Sequence, residues 1–156
     1  MKIEKYERLF LYATAVVLVV FFGAILMSVG EAGLHLPTQD AVLDPTAVGE
    51  TPPFDNPGVY PTGPDEYTAV MVAQAWSYSP NEITVPAGSE VTFYVTSRDV
   101  IHGLLIPNTT INAMVIPGQV TKVTYRFEDA GEFPMVCHEF CGIGHAGMYG
   151  KVVVEG

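Results

Sequence analysis

The stretch Cys137-His138-Glu139-Phe140-Cys141-Gly142-Ile143-Gly144-His145-Ala146-Gly147-Met148 places four soft or borderline metal ligands, Cys137, Cys141, His145 and Met148, within twelve residues of one another. Thiolate, imidazole and thioether together favour copper, whereas a structural zinc site takes four Cys or His ligands and has no use for Met. Other readings compete. A structural disulfide between Cys137 and Cys141 is open to a chain in an oxidising compartment. Zinc held by Cys137, Cys141, His145 and one further His meets a spacing unlike that of a zinc knuckle. A mononuclear blue-copper centre wants one Cys, two His and a weak Met, which leaves the second Cys surplus.

Ligands on a loop converge only if rigid elements hold the loop's ends. A strand ending at Val136 delivers Cys137, the small residues Gly142, Gly144 and Gly147 let the loop fold tightly, and Tyr149 to Val154 leaves as the next strand. Upstream, YTAVMVAQAW, EITV, EVTFYVTS, VIHGLLI, QVTKVTYRFE and EFPMV are short, rich in β-branched and aromatic residues and bounded by Pro-Ala-Gly, Ile-Pro-Gly or Asp-Ala-Gly turns. Alternation in EVTFYVT and VTKVTYRFE predicts one buried and one solvated face. About seven such strands predict an antiparallel sandwich or barrel over residues 67–156. Before it, residues 31–66 hold seven of the twelve prolines and four glycines. This excludes regular helix or central strand and predicts an extended connector lying along the domain surface, with Phe54, Val59 and Tyr60 to bury.

From Leu9 to Val29 the chain runs 21 residues without a charge; at ~1.5 Å per residue that is about 31 Å, a bilayer core. Residues 1–30 are thus expected to be a cytoplasmic N-terminus and a transmembrane helix. The run exceeds the usual h-region of a secretory signal, and SVGEAG offers no clean cleavage site. Lys2, Lys5 and Arg8 before the helix and Glu31, Asp40 and Asp44 after it predict a cytoplasmic N-terminus. The full chain has 156 residues, 7 Lys+Arg and 17 Asp+Glu, for a net charge of −10. Residues 1–30 hold three bases and two acids, so residues 31–156 carry 4 bases against 15 acids, a balance of −11. No basic footprint exists to meet phosphates, which excludes a nucleic-acid partner.

With these residues in view, the chain resembles subunit II of haem-copper cytochrome c oxidases, and its loop is similar to the CuA motif C-x-E-x-C-x3-H-x2-M. The likeness extends upstream to Asp99-Val100-Ile101-His102, where a His stands 35 residues before Cys137. One helix followed directly by the copper domain resembles the B-type class. The resemblance implies a mainly β fold, a cupredoxin-type Greek-key barrel or sandwich preceded by one N-terminal transmembrane helix. It implies two copper ions bridged by the sulfurs of Cys137 and Cys141. His102 and His145 would cap one ion each, Met148 would be a weak ligand, and the backbone carbonyl of Glu139 would supply the last contact. It also offers the Glu139 side chain as a magnesium ligand at the boundary with subunit I, and Glu7 as the entry of a proton path. The implied partners are haem-bearing subunit I, other membrane subunits, membrane lipid, and an external cytochrome c or small copper protein as donor. The implied place is a prokaryotic plasma (inner) membrane, with the C-terminal domain on the periplasmic face.

A membrane-tethered copper carrier or assembly factor of the same fold is the alternative, as is a quinol-oxidase subunit with a lost metal site, which the intact ligand set argues against. His138 matches no ligand position and is expected to be solvated or to stand behind the ligands. His35 is expected at the membrane interface. Asp99 is read either as orienting His102 or as an ordinary turn residue. Trp76, in Gln74-Ala75-Trp76-Ser77-Tyr78, is read either as an electron-entry residue or as a buried Trp under the metal loop. Gln74 occupies the position where the family usually places the entry aromatic. Met27, Met71, Met114 and Met135 are read as core or membrane filler.

Overall fold

The computed structural model describes residues 4–31 and 37–156; His35 lies outside the described residues. The chain divides into two compact units, Met1–Leu34 and His35–Gly156. The first contains a 27-residue helix, α1 (Lys5–Glu31), apolar around its whole circumference and long enough to cross a membrane.

The second unit is built of strands β1 (Thr38–Val42), β2 (Gly58–Gly63), β3 (Glu66–Gln74), β4 (Ser77–Ser79), β5 (Glu82–Pro86), β6 (Ser89–Ser97), β7 (His102–Leu105), β8 (Asn112–Val115), β9 (Gln119–Phe127), β10 (Gly131–Val136) and β11 (Tyr149–Glu155). One sheet runs β1-β9-β6-β3-β2 with β4 paired to β3; the other runs β5-β11-β10-β7-β8. The sheets are mixed, which corrects the expectation of antiparallel pairing: β3 runs parallel to β6 and β5 parallel to β11. Both pairs close the two sheets by crossovers that local alternation does not encode.

The Pro-rich stretch does more than connect. It supplies β1 and β2, the two edges of the larger sheet, where the missing N–H of Pro61 leaves no central ladder broken. Between them, Asp44 caps a single 3-10 turn (Pro45–Glu50) by accepting from Thr46 N at 2.9 Å, and Val48 and Phe54 bury against Val70, Val72 and Val120.

The strand expected to run through Trp76 stops at Gln74. Ala75 and Trp76 form the tip of a hairpin that pairs Gln74 with Ser77. Along β6 the alternation holds from Ser89 to Val95, and then Thr96 and Ser97 are both buried. Each of these hydroxyls donates to a carbonyl: Thr96 Oγ1 to Gln119 O at 2.8 Å and Ser97 Oγ to Val100 O at 2.6 Å. The barrel interior is filled by Met71, Val91, Phe93 and Phe127 from one sheet and Ile83, Leu104, Met135 and Val152 from the other.

Candidate metal centre

β10 ends at Val136, and the next residue is Cys137, whose N–H donates to Met148 O at 3.3 Å. That bond closes the neck of the 137–148 loop just before β11. Within it Gly142 takes φ +115°, a conformation that favours glycine. The turn His145–Gly147 then returns Met148 toward the interior, its N–H donating to His145 O at 3.1 Å.

The side chains converge. Cys137 Sγ and Cys141 Sγ lie 3.8 Å apart, His145 Nδ1 is 3.5 Å and Met148 Sδ 3.7 Å from Cys141 Sγ, and the Cys137 thiol points at Glu139 O at 3.2 Å. Cys137, Cys141 and Met148 are all buried. Both cysteines are free; sulfurs at this separation are far beyond a disulfide bond of ~2.05 Å, which removes the disulfide reading.

His102 opens β7 and is fully buried. Its Nε2 meets Asp99 Oδ1 at 2.8 Å, so Asp99 orients the ring. Burial works against the Asp99 carboxylate, but bonds from His102 and from the N–H groups of Ala75 and Val100 hold it below the usual range. The other nitrogen, Nδ1, is buried with no hydrogen-bond partner. His102, Cys137 and Cys141 bring their ligand atoms within 4.8 Å of one another. Burial, and then the neighbouring Cys137, push the Cys141 thiol up to about 11. A soft cation would have to displace that proton. An orphaned imidazole nitrogen on a residue that converges with two thiols, one of them 3.7 Å from a thioether, fits copper.

Comparison with known proteins decides the family. The family described as "Cytochrome C oxidase subunit II, periplasmic domain" matches residues 70–156. Cytochrome c oxidase subunit 2 of Thermus thermophilus is 39% identical over 154 residues, 96% of this chain and 92% of the relative. The chain belongs to the cytochrome c oxidase subunit II family. Among solved structures, a haem-copper terminal oxidase dimer studied by cryo-EM contains a chain 33% identical with TM-score 0.78, covering 97% of this chain and all of that one. The periplasmic domain of subunit II from Bradyrhizobium japonicum, 23% identical, shares the fold at TM-score 0.52 over 56% of this chain and 82% of that one. The fold is a cupredoxin-type β-barrel preceded by one apolar helix, and the family makes the chain a subunit of an oxidoreductase complex.

The remaining candidate residues fall around this centre or apart from it. The Glu139 side chain is 41% exposed and 3.5 Å from His138 Nδ1. His138 is partly exposed and is not among the converging donors: its ring packs on Gly103, where a Cβ would come within 2.6 Å of the imidazole. Trp76 is 43% exposed, beside the loop and not buried under it. Glu7 lies in the other unit, where Oε2 accepts from Glu4 N at 3.0 Å and closes the first turn of α1.

Two contributors escaped the sequence reading. Gly103 N–H donates to Cys137 Sγ at 3.4 Å, and the buried Tyr78 hydroxyl donates to Gly103 O, with burial, then Cys137, raising its pKa. A glycine within a strand, directly after a candidate ligand histidine, is the signal that marks such close approach.

Proposed function

We propose that this chain is the electron-input subunit of a haem-copper terminal oxidase, with a dinuclear copper centre held by His102, Cys137, Cys141, His145, Met148 and the carbonyl of Glu139. The two thiolates and the two imidazoles would be its main donors. Such a centre, when bound, would supply rapid one-electron transfer, because thiolate donors share charge with the metal and fixed ligands rearrange little. The chain's own residues provide the fixity. Asp99 holds the His102 ring, Gly103 N–H donates to the Cys137 sulfur, and burial keeps water from both sulfurs.

The complex would take electrons one at a time from an external cytochrome c or small copper protein. It would deliver them to haem in subunit I, where oxygen is reduced and protons are moved across the membrane. Residues 1–30 would be the cytoplasmic N-terminus and anchor in a prokaryotic plasma membrane, 31–66 the Pro-rich lead-in, and 67–156 the periplasmic copper domain. The Glu139 carboxylate would bind magnesium at the subunit I boundary. Glu7, besides closing the first helical turn, would admit protons from the cytoplasm: Glu7→Gln should slow oxygen reduction and leave reduction by the donor unchanged.

The observation that carries the proposal is the convergence of free Cys137, free Cys141 and the unpartnered Nδ1 of His102 at one buried point. The full-length chain loaded with copper should bind two ions that share one unpaired electron. A four-line electron-spin-resonance spectrum from one localised ion, or a stoichiometry of one, would sink the proposal. The −11 external charge should make oxidation of a basic cytochrome c slow as ionic strength rises; a salt-independent rate would point to docking on exposed Phe140 and Ile143 instead.

A further inference from the structure

Trp76 is the only tryptophan in the chain, and nothing in the proposed reaction uses it. It stands at the tip of the β3–β4 hairpin. Its Nε1–H donates to the carbonyl oxygen of Cys141 at 3.0 Å, across 65 residues of sequence. The loop lies flat on the indole: a Cβ on Gly142 would stand 3.2 Å from Nε1, and one on Gly144 would collide with the ring. The preceding residue is tied to the other side of the centre. Ala75 N–H donates to Asp99 Oδ2 at 2.6 Å, while Asp99 Oδ1 holds His102 Nε2 at 2.8 Å.

We propose that Trp76 is a positioning residue: its indole N–H fixes the Cys141 peptide, and with the Ala75–Asp99 bond it locks the loop-borne ligands in register with the strand-borne His102. Two adjacent residues thereby brace both halves of the donor set. A core filler would be buried and need no partner, whereas this ring is 43% exposed and spends its one donor on a candidate ligand's own carbonyl. Movement of the Cys141 peptide would carry its Sγ with it, so the bond acts on the position of a bridging sulfur.

The proposal rests on the copper reading of the loop, and the test separates the two. In the metal-free full-length chain in detergent, the single indole N–H should give one NMR signal that exchanges slowly with D2O. Trp76→Phe keeps an aromatic ring on the glycines and removes the donor. It should take up as much copper as the parent, show displaced absorption bands and midpoint potential, and lose copper to excess chelator about threefold to tenfold faster, the range of one net hydrogen bond. An indole proton exchanging as fast as in free tryptophan overturns the brace. So does a variant that matches the parent in bands, potential and loss rate. If Trp76→Phe does not fold, the exchange rate in the parent decides. A parent that binds no copper while its indole proton stays protected overturns the copper reading and leaves the hydrogen bond standing.

Discussion

The two ends of the barrel are filled by different physics. Where β6 and β10 begin and β9 ends, Phe127 sits between Phe93, Tyr125 and Phe133 with ring centroids 4.9 to 6.4 Å apart and edges turned to faces. That end is filled by aromatic packing, with one buried hydroxyl, Ser89 Oγ, left without a partner. Where β10 ends and β7 and β11 begin, the interior holds an imidazole, two thiols and a thioether, and nearly every polar atom is held by a named partner. Among the described residues the exceptions at this end are His102 Nδ1 and His138 Nε2, and of the two only His102 groups its ligand atom with both cysteines. What sets His102 apart is that its residue converges with two buried thiols, and that convergence marks where a ligand would belong.

The sharpest break of this contrast compares one substitution at each end. Cys141→Ser should abolish a two-copper centre, leaving one ion or none, while the metal-free chain unfolds at nearly the parent's denaturant midpoint. Phe127→Ala should do the reverse. It should cost about 3–5 kcal/mol of stability, and the fraction still folded should load copper with the parent's spectrum. If Phe127→Ala alters the spectrum, the two ends are not independent.

Next in size is Gly103→Ala, placed where packing and ligand support meet. The added methyl would meet the His138 ring at 2.6–2.7 Å. Because that ring is partly exposed it can turn outward, so the cost should stay at the low end for overpacking, about 1–2 kcal/mol by denaturant titration. The Gly103 N–H bond to Cys137 would loosen with it, and copper should be lost to chelator faster than from the parent.

How much of this was legible differs between the same two ends. The convergence of the candidate loop is legible directly, because its donors and glycines are local in sequence and tolerate few other arrangements. His102 was reachable only through resemblance, since nothing local ties it to Cys137. The strands β6 and β9 were plain from alternation. The short β8 was not, because four residues carry too little pattern. The Pro-rich edges β1 and β2 look like connector in sequence, because proline argues against strands in general and only the sheet order reveals that these are edges. The Ala75–Trp76 turn was hidden inside an apolar run that continues through it.

Met148→Leu sharpens the contrast from the metal side with a smaller effect. Met148 is buried, with Sδ 3.7 Å from Cys141 Sγ, and leucine nearly conserves its volume. Stability should change by less than about 1.5 kcal/mol. The copper count should stay at two and the midpoint potential should move, because a weak thioether tunes the centre without building it. Loss of an ion by metal analysis would make Met148 a structural ligand.

The smallest effect lies outside both ends and serves as their control. Asp44 is fully exposed, and its carboxylate accepts from Thr46 N at 2.9 Å and Thr46 Oγ1 at 2.7 Å; the side-chain bond first, then the backbone bond, lower its pKa. A carboxyl whose folded pKa lies below its unfolded one adds stability that is fully present above the unfolded value, about 4. That stability is lost as pH falls through the folded value. Asp44→Ala should therefore lower the thermal midpoint slightly at pH 7, and the difference from the parent should shrink as pH drops below about 4. Copper content and spectrum should not change at any pH where both chains are folded. A difference that persists undiminished into acid would mean the cap works through the neutral carboxyl. A change in the copper spectrum would couple the Pro-rich segment to the metal end, and the two ends would then no longer account for the domain between them.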